Sequence, residues 1–137
     1  MQIILEVALK NLTLENHNQK LGAMAIDKEK FKENFSYFDK EIVLEIINMY
    51  IDEYPERMQK IKSNVENREF DELKFNAHSL KGVISNFVAE EARLAAKELE
   101  DKGAAHDPEG LEELYEDLAK KAREVYDELV ELKAEYE

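Results

Sequence analysis

The chain contains no cysteine. Disulfides, thiolate-ligated zinc or iron–sulfur sites and thiol catalysis are therefore excluded, which suits a reducing compartment. It is also poor in backbone breakers, with 4 glycines and 2 prolines among 137 residues, so a few long helices are favoured over many short strands. Positive charge is in short supply. Lysine and arginine number 19 against 32 acidic residues, a net charge of −13, and a duplex nucleic acid would be repelled. No stretch approaches the ~18 consecutive apolar residues of a membrane span, and the opening "MQIILEVALKN" is too short and too soon charged to be a signal peptide. These absences predict a cytoplasmic protein that engages neither nucleic acid nor membrane. The length fits one domain with a core of its own.

What is present is helical periodicity. Residues 1–26 read as an N-terminal extension in which Ile3, Val7 and Leu12 can form a helical stripe or a short strand. From Asp27 the pattern sharpens. "DKEKFKENF" predicts a short helix capped by Asp27. A long amphipathic helix follows, with Val43, Ile47, Tyr50, Tyr54, Met58, Ile61 and Val65 spaced by three or four. Pro55 lies inside it and is expected to kink or divide it. Phe70, Leu73, Ala77, Leu80, Ile84 and Phe87 form a second stripe. Val88, Ala92, Ala95 and Leu99 form a third, in a helix expected to end near Gly103. The loop "AAHDPEG" leads into a last helix expected to start with Asp107 as cap and Pro108 at its first position. Four helices with one apolar face each, spanning residues 27–137, predict an all-α protein. Its architecture is an antiparallel four-helix bundle with additional short N-terminal helices.

One stretch, "AHSLKGVISNF", breaks the bland reading. A glycine inside a helix costs roughly 1 kcal/mol relative to alanine. Gly82 stands one turn after His78, and at about 100° per residue His78 lies roughly 130° from the centre of its helix's buried stripe. Lys81, Gly82 and Ser85, at i+3, i+4 and i+7, share its face. The histidine thus has a cation and a gap beside it. The break between this helix and the next falls near Val88–Ala89. In an antiparallel hairpin about Ala89, Glu100 is level with His78 and Lys97 is level with Lys81. A Glu100 carboxylate at that level can accept a hydrogen bond from Nδ1–H and leave Nε2 as a nucleophile. Neutral imidazole is the dominant form near pH 7. A phosphoryl group needs room, which Gly82 provides, and positive charge, which Lys81 and Lys97 provide. The pattern predicts phosphoryl transfer. Phe75 and Val83 lie off the buried stripe, as an apolar rim for a partner or a seat for the N-terminal segment. His17 and His106, in polar surroundings, read as plain surface residues.

Rival readings fare worse. A di-metal carboxylate bundle needs Glu-x-x-His pairs, but Leu14, Phe75 and Gly103 stand three before the histidines, so no metal site is expected. A kinase dimerisation pair needs a nucleotide-binding domain with glycine-rich loops, and the chain has no such segment. A non-catalytic helical bundle that only binds proteins, with an unused histidine, is the alternative that stays open.

The segment "AHSLKGVISNFVAEEARLAAKELE" resembles the signature of histidine-containing phosphotransfer (HPt) domains of phosphorelays, most closely at His78, Ser79, Leu80, Lys81 and Gly82 and again at Leu99–Glu100. The resemblance covers roughly residues 27–137. It implies that His78 receives a phosphoryl group from an aspartyl phosphate on a response-regulator receiver domain, or from a hybrid histidine kinase, and passes it on. It also implies a monomeric carrier without a nucleotide site or cofactor of its own, and Mg²⁺ held by the receiver. Two departures stand out. Val83 and Ile84 follow the glycine where the family often has small residues. Val88 occupies the helix end where it usually has glycine. Valine is a poor left-handed cap, so Asn86 or a different turn is expected there.

Overall fold

Asp27 accepts a hydrogen bond from the Lys30 amide at 3.1 Å and caps helix α1 (Lys28–Asn34). This is the start that its sequence predicts. The computed structural model describes residues 24–137; the stripe of Ile3, Val7 and Leu12 and His17 lie outside them. After α1 come α2 (Lys40–Glu66), α3 (Phe70–Ile84), α4 (Glu90–Ala105) and α5 (Leu111–Leu132), with 3₁₀ turns at Ser85–Phe87 and Lys133–Tyr136. No strand occurs among the described residues. Short connections make consecutive long helices antiparallel neighbours. Helix α3 packs on α4, α4 on α5, and α2 on both α5 and α3, which closes a four-helix bundle. None of the described helices is long and apolar enough to cross a membrane.

The core is built mainly from the predicted stripes, with Tyr54 and Phe70 only partly buried, and the last helix adds its own leucines. Ile47, Tyr50, Ile61, Leu73, Leu80, Ile84, Leu99, Leu111, Leu118 and Leu129 are fully buried, and α1 adds Phe31. Each such side chain contributes ~1.5–3 kcal/mol. The Tyr50 hydroxyl, buried with its ring, donates to the Ala122 carbonyl at 2.9 Å. The packed chain begins ahead of Asp27. The amides of Ala25 and Ile26 donate to the two carboxylate oxygens of Glu128 on α5, at 2.7 and 2.8 Å, and Ile26 is buried.

Local features depart from the sequence reading in four places. Of the two outcomes expected at Pro55, a kink or a division, division does not occur: α2 runs through it as one helix. Proline removes one amide donor, and Pro55 lies on the exposed face of the helix, where its ring displaces no core side chain. Helix α4 continues past Gly103 to Ala105 and is closed by His106 in the left-handed region, φ 53°. Helix α5 starts at Leu111 behind Gly110, φ 73°, and not at Pro108. Asp107 spends its carboxylate on the amide of Glu109 two residues on, at 3.0 Å, and on Lys102 at 2.9 Å, so it builds a turn and not a helix cap. Lastly, Val88 itself takes the left-handed conformation, φ 55° and ψ 53°. Such a conformation costs roughly 1–2 kcal/mol in an L-residue. Its neighbours explain it. Phe87 is buried between Phe31 and Tyr50, with ring centroids 6.2 and 5.6 Å away. Ala89 is buried too, and the Val88 carbonyl accepts from the Asp27 amide at 2.9 Å. The chain must reverse between two buried residues, and Val88 is where it does so.

Candidate functional site

The α3–α4 turn sets the register on which the site depends. With the reversal at Val88–Ala89, His78 and Glu100 face each other across the helix pair. His78 Nδ1 lies 2.8 Å from Glu100 Oε2, the contact the hairpin register predicts. The imidazole is 66% exposed and the carboxylate only 16%. Glu100 therefore acts as a fixed anchor and the ring as the presented group. With Nδ1–H donating to the carboxylate, the free lone pair sits on Nε2.

Lys81 is held by the same anchor. Its Nζ lies 2.7 Å from Glu100 Oε1, with the lysine side chain 21% exposed. Oε1 is shielded from solvent, and the Lys81 ammonium is what compensates it. Lys97 is not brought to the site: it pairs along its own helix with Asp101 at 2.9 Å. Gly82 is exposed, and a Cβ built on it would meet nothing within 4 Å. Phe75 is 72% exposed. Val83 is not an exposed rim: it is half-buried and packed against the core, on the same side of α3 as Asn76 and Ser79, which bond to Asn64 and Arg57 of α2. His106 is more than a plain surface residue. Its Nε2 lies 3.0 Å from Asp71 Oδ1 and its ring stacks on Phe70 at 5.1 Å, which ties the end of α4 to the start of α3.

The structure adds neighbours that the sequence reading missed. His78 shares an open recess with Asp71, Lys74, Phe75 and Glu100. Asp71, Lys74 and Phe75 stand seven, four and three residues before the histidine. Side chains on a helix lean toward its N-terminus, so the ring hangs over the preceding turns and not over Lys81, Gly82 and Ser85. Counting backwards along the face would have found them. On the other flank, Arg57 of α2 donates to Ser79 Oγ at 2.8 Å and pairs with Glu53 at 3.0 Å.

Burial works to raise the Glu100 carboxyl, but hydrogen bonds and charge from Lys81 and His78 outweigh it and hold the group below the usual carboxylate range. A folded value below the unfolded one means that the pairing stabilises the fold above that range. The stabilisation disappears as pH falls through the folded value. Urea unfolding of the wild type and of Glu100→Gln at several pH values should show this directly. The stability gap is expected to be full above about pH 5 and to shrink on acidification toward about pH 3. A gap that stays constant or widens would show that Glu100 is no better placed in the fold than in the unfolded chain.

A helical bundle that presents an exposed histidine, fixed at Nδ1 by a carboxylate from the neighbouring helix, has the build of a phosphotransfer domain. The Hpt domain family model matches residues 45–135, and the chain belongs to that family. Among solved structures, histidine-containing phosphotransfer protein B (HptB) from Pseudomonas aeruginosa PAO1 shares the fold with a TM-score of 0.76 at 18% identity, over 84% of this chain and 99% of that one. Comparison with curated proteins gives no match.

Proposed function

We propose that His78 accepts a phosphoryl group on Nε2 from the aspartyl phosphate of a receiver domain and hands it to a second acceptor carboxylate. The observation that carries this reading is the 2.8 Å contact between His78 Nδ1 and Glu100 beneath an exposed ring. In the forward step Nε2 bonds to phosphorus while the acyl phosphate's P–O bond breaks and the aspartate leaves as a carboxylate. The ring gains positive character as it attacks, and Glu100 stands at Nδ1 to stabilise it. Onward transfer reverses the same bonds. The chain is a carrier, without nucleotide chemistry of its own, and the receiver brings the Mg²⁺ and the acid-activating groups. Receiver domains, free or fused to a hybrid histidine kinase, are the partners. They dock over the open surface of Gly82 with Phe75 at its edge.

Incubation with receiver domains carrying a labelled aspartyl phosphate tests this. An acid-labile, alkali-stable label should appear at His78. Receiver binding without any label would make the chain an interaction module with an unused histidine.

The glycine supplies an independent check. Gly82→Ala should raise stability by up to about 1 kcal/mol, since alanine is the better helix former and the added Cβ meets no neighbour. It should nevertheless slow transfer from a receiver, and larger residues should slow it further. Loss of stability with unchanged transfer would make Gly82 a packing residue.

A further inference from the structure

We propose that Lys74, and not Lys81, is the cation that contacts the phosphoryl group on His78; this rests on the phosphotransfer reading above. Positive charge near His78 is mostly committed elsewhere. Lys81 is 2.7 Å from Glu100, Lys97 is 2.9 Å from Asp101, and Lys102 is 2.9 Å from Asp107. Arg57 lies on the opposite flank of α3 with Glu53 and Ser79. Lys74 lines the histidine's own recess, is exposed, and has no acidic partner among the described residues.

Its placement suits the task. Lys74 is four residues before His78, so the two share one helix face with Cβ atoms about 5–6 Å apart, and the ring leans toward it. Its backbone is held firmly, because α4 approaches there so closely that a Cβ on Gly103 would lie 2.7 Å from the Lys74 nitrogen. The side chain alone is free to move. The electrostatics require such a group. The other charged walls of the recess are Asp71 and Glu100, and a phosphoryl group adds nearly two further negative charges. Asp71 is engaged by His106 and Glu100 by Lys81 and His78. Lys74 is left to face the phosphoryl oxygens. Lys81 is then a positioning residue, acting through the carboxylate that orients the ring.

Phosphoramidate loads imidazole without any receiver. Nε2 bonds to phosphorus as the donor's P–N bond breaks, and the nitrogen leaves as ammonia with the proton the ring gives up. The loaded wild type, Lys74→Gln, Lys74→Arg and Lys81→Gln chains are then titrated by ³¹P NMR. A neighbouring cation favours the dianionic phosphoryl group, so Lys74→Gln should move the ³¹P midpoint upward by about half a unit or more, and Lys74→Arg should restore it. Lys81→Gln should leave that midpoint near wild type and instead change the ¹⁵N signature of the unloaded His78 tautomer. A midpoint unmoved in Lys74→Gln, or moved by Lys81→Gln alone, would overturn the assignment. A wild-type chain that takes no phosphoryl group from phosphoramidate would overturn both this assignment and the phosphotransfer reading beneath it.

Discussion

A His78→Gln chain is expected to unfold at the wild-type midpoint and to take no label from a phosphorylated receiver. The side chain is mostly exposed, so its replacement removes no core, and surface changes of this kind usually stay within about 0.5 kcal/mol. Glutamine also carries an amide donor that can serve Glu100 in place of Nδ1–H, which avoids stranding a half-buried carboxylate. What it lacks is the nucleophilic lone pair. His106 offers no substitute. Its Nε2 faces Asp71 at 3.0 Å and its ring is stacked on Phe70, whereas an acceptor nitrogen must face open space. Thermal unfolding together with label counting after alkaline gel separation decides the matter. Wild-type labelling of the variant, or label mapped to His106, would refute the assignment of His78.

The second large effect is expected at Gly103, where alanine should do the opposite of alanine at Gly82. A Cβ on Gly103 would lie 2.7 Å from the Lys74 nitrogen and 2.8 Å from the Phe70 carbonyl oxygen. Both are backbone atoms of α3, so neither can turn aside, and α4 must back away. Overpacking of this sort costs typically ~1–3 kcal/mol, partly offset by about 1 kcal/mol of helix propensity. Gly103→Ala should therefore lower Tm by several degrees, roughly 4 °C per kcal/mol lost, while Gly82→Ala raises it. The displacement also reaches the site. Glu100 lies one turn from Gly103 on α4, and Lys74 lies one turn from His78 on α3. Separating the helices at that level lengthens the 2.8 Å contact, so transfer should fall along with stability. The ¹⁵N tautomer signature of His78 distinguishes this from mere destabilisation, because it changes in the folded state. An unchanged Tm would mean that α3 and α4 approach less closely than the backbone positions require.

Much of this protein was legible in its sequence because helical periodicity is a local property. Which face of each helix is apolar follows from spacings of three and four, and most of the stripe residues of α2, α3 and α4 are buried, with Tyr54 and Phe70 at the margin of the core. Scarce glycine and proline left few places for the chain to turn, so the level of each residue in the α3–α4 hairpin could be counted. That is why Glu100 could be set opposite His78. Identifying the two ends of that contact required only the turn and the rise per residue.

Other features were decided by tertiary structure, since they depend on the distance and azimuth between helices. Whether Lys81 points at solvent or at Glu100, and whether Lys97 prefers the site or Asp101, is a competition among partners that spacing does not rank. Val83 is drawn in against the core because it follows Asn76 and Ser79 on the flank of α3 that meets α2. Gly103 looked like a helix end. It is a contact point, because the need to omit a Cβ arises only from the backbone of another helix. Val88 adopts a conformation that its own side chain disfavours, because Phe87 and Ala89 are both buried across the reversal. Burial of the neighbours outweighs the local preference of one residue, and that balance exists only once the bundle has closed.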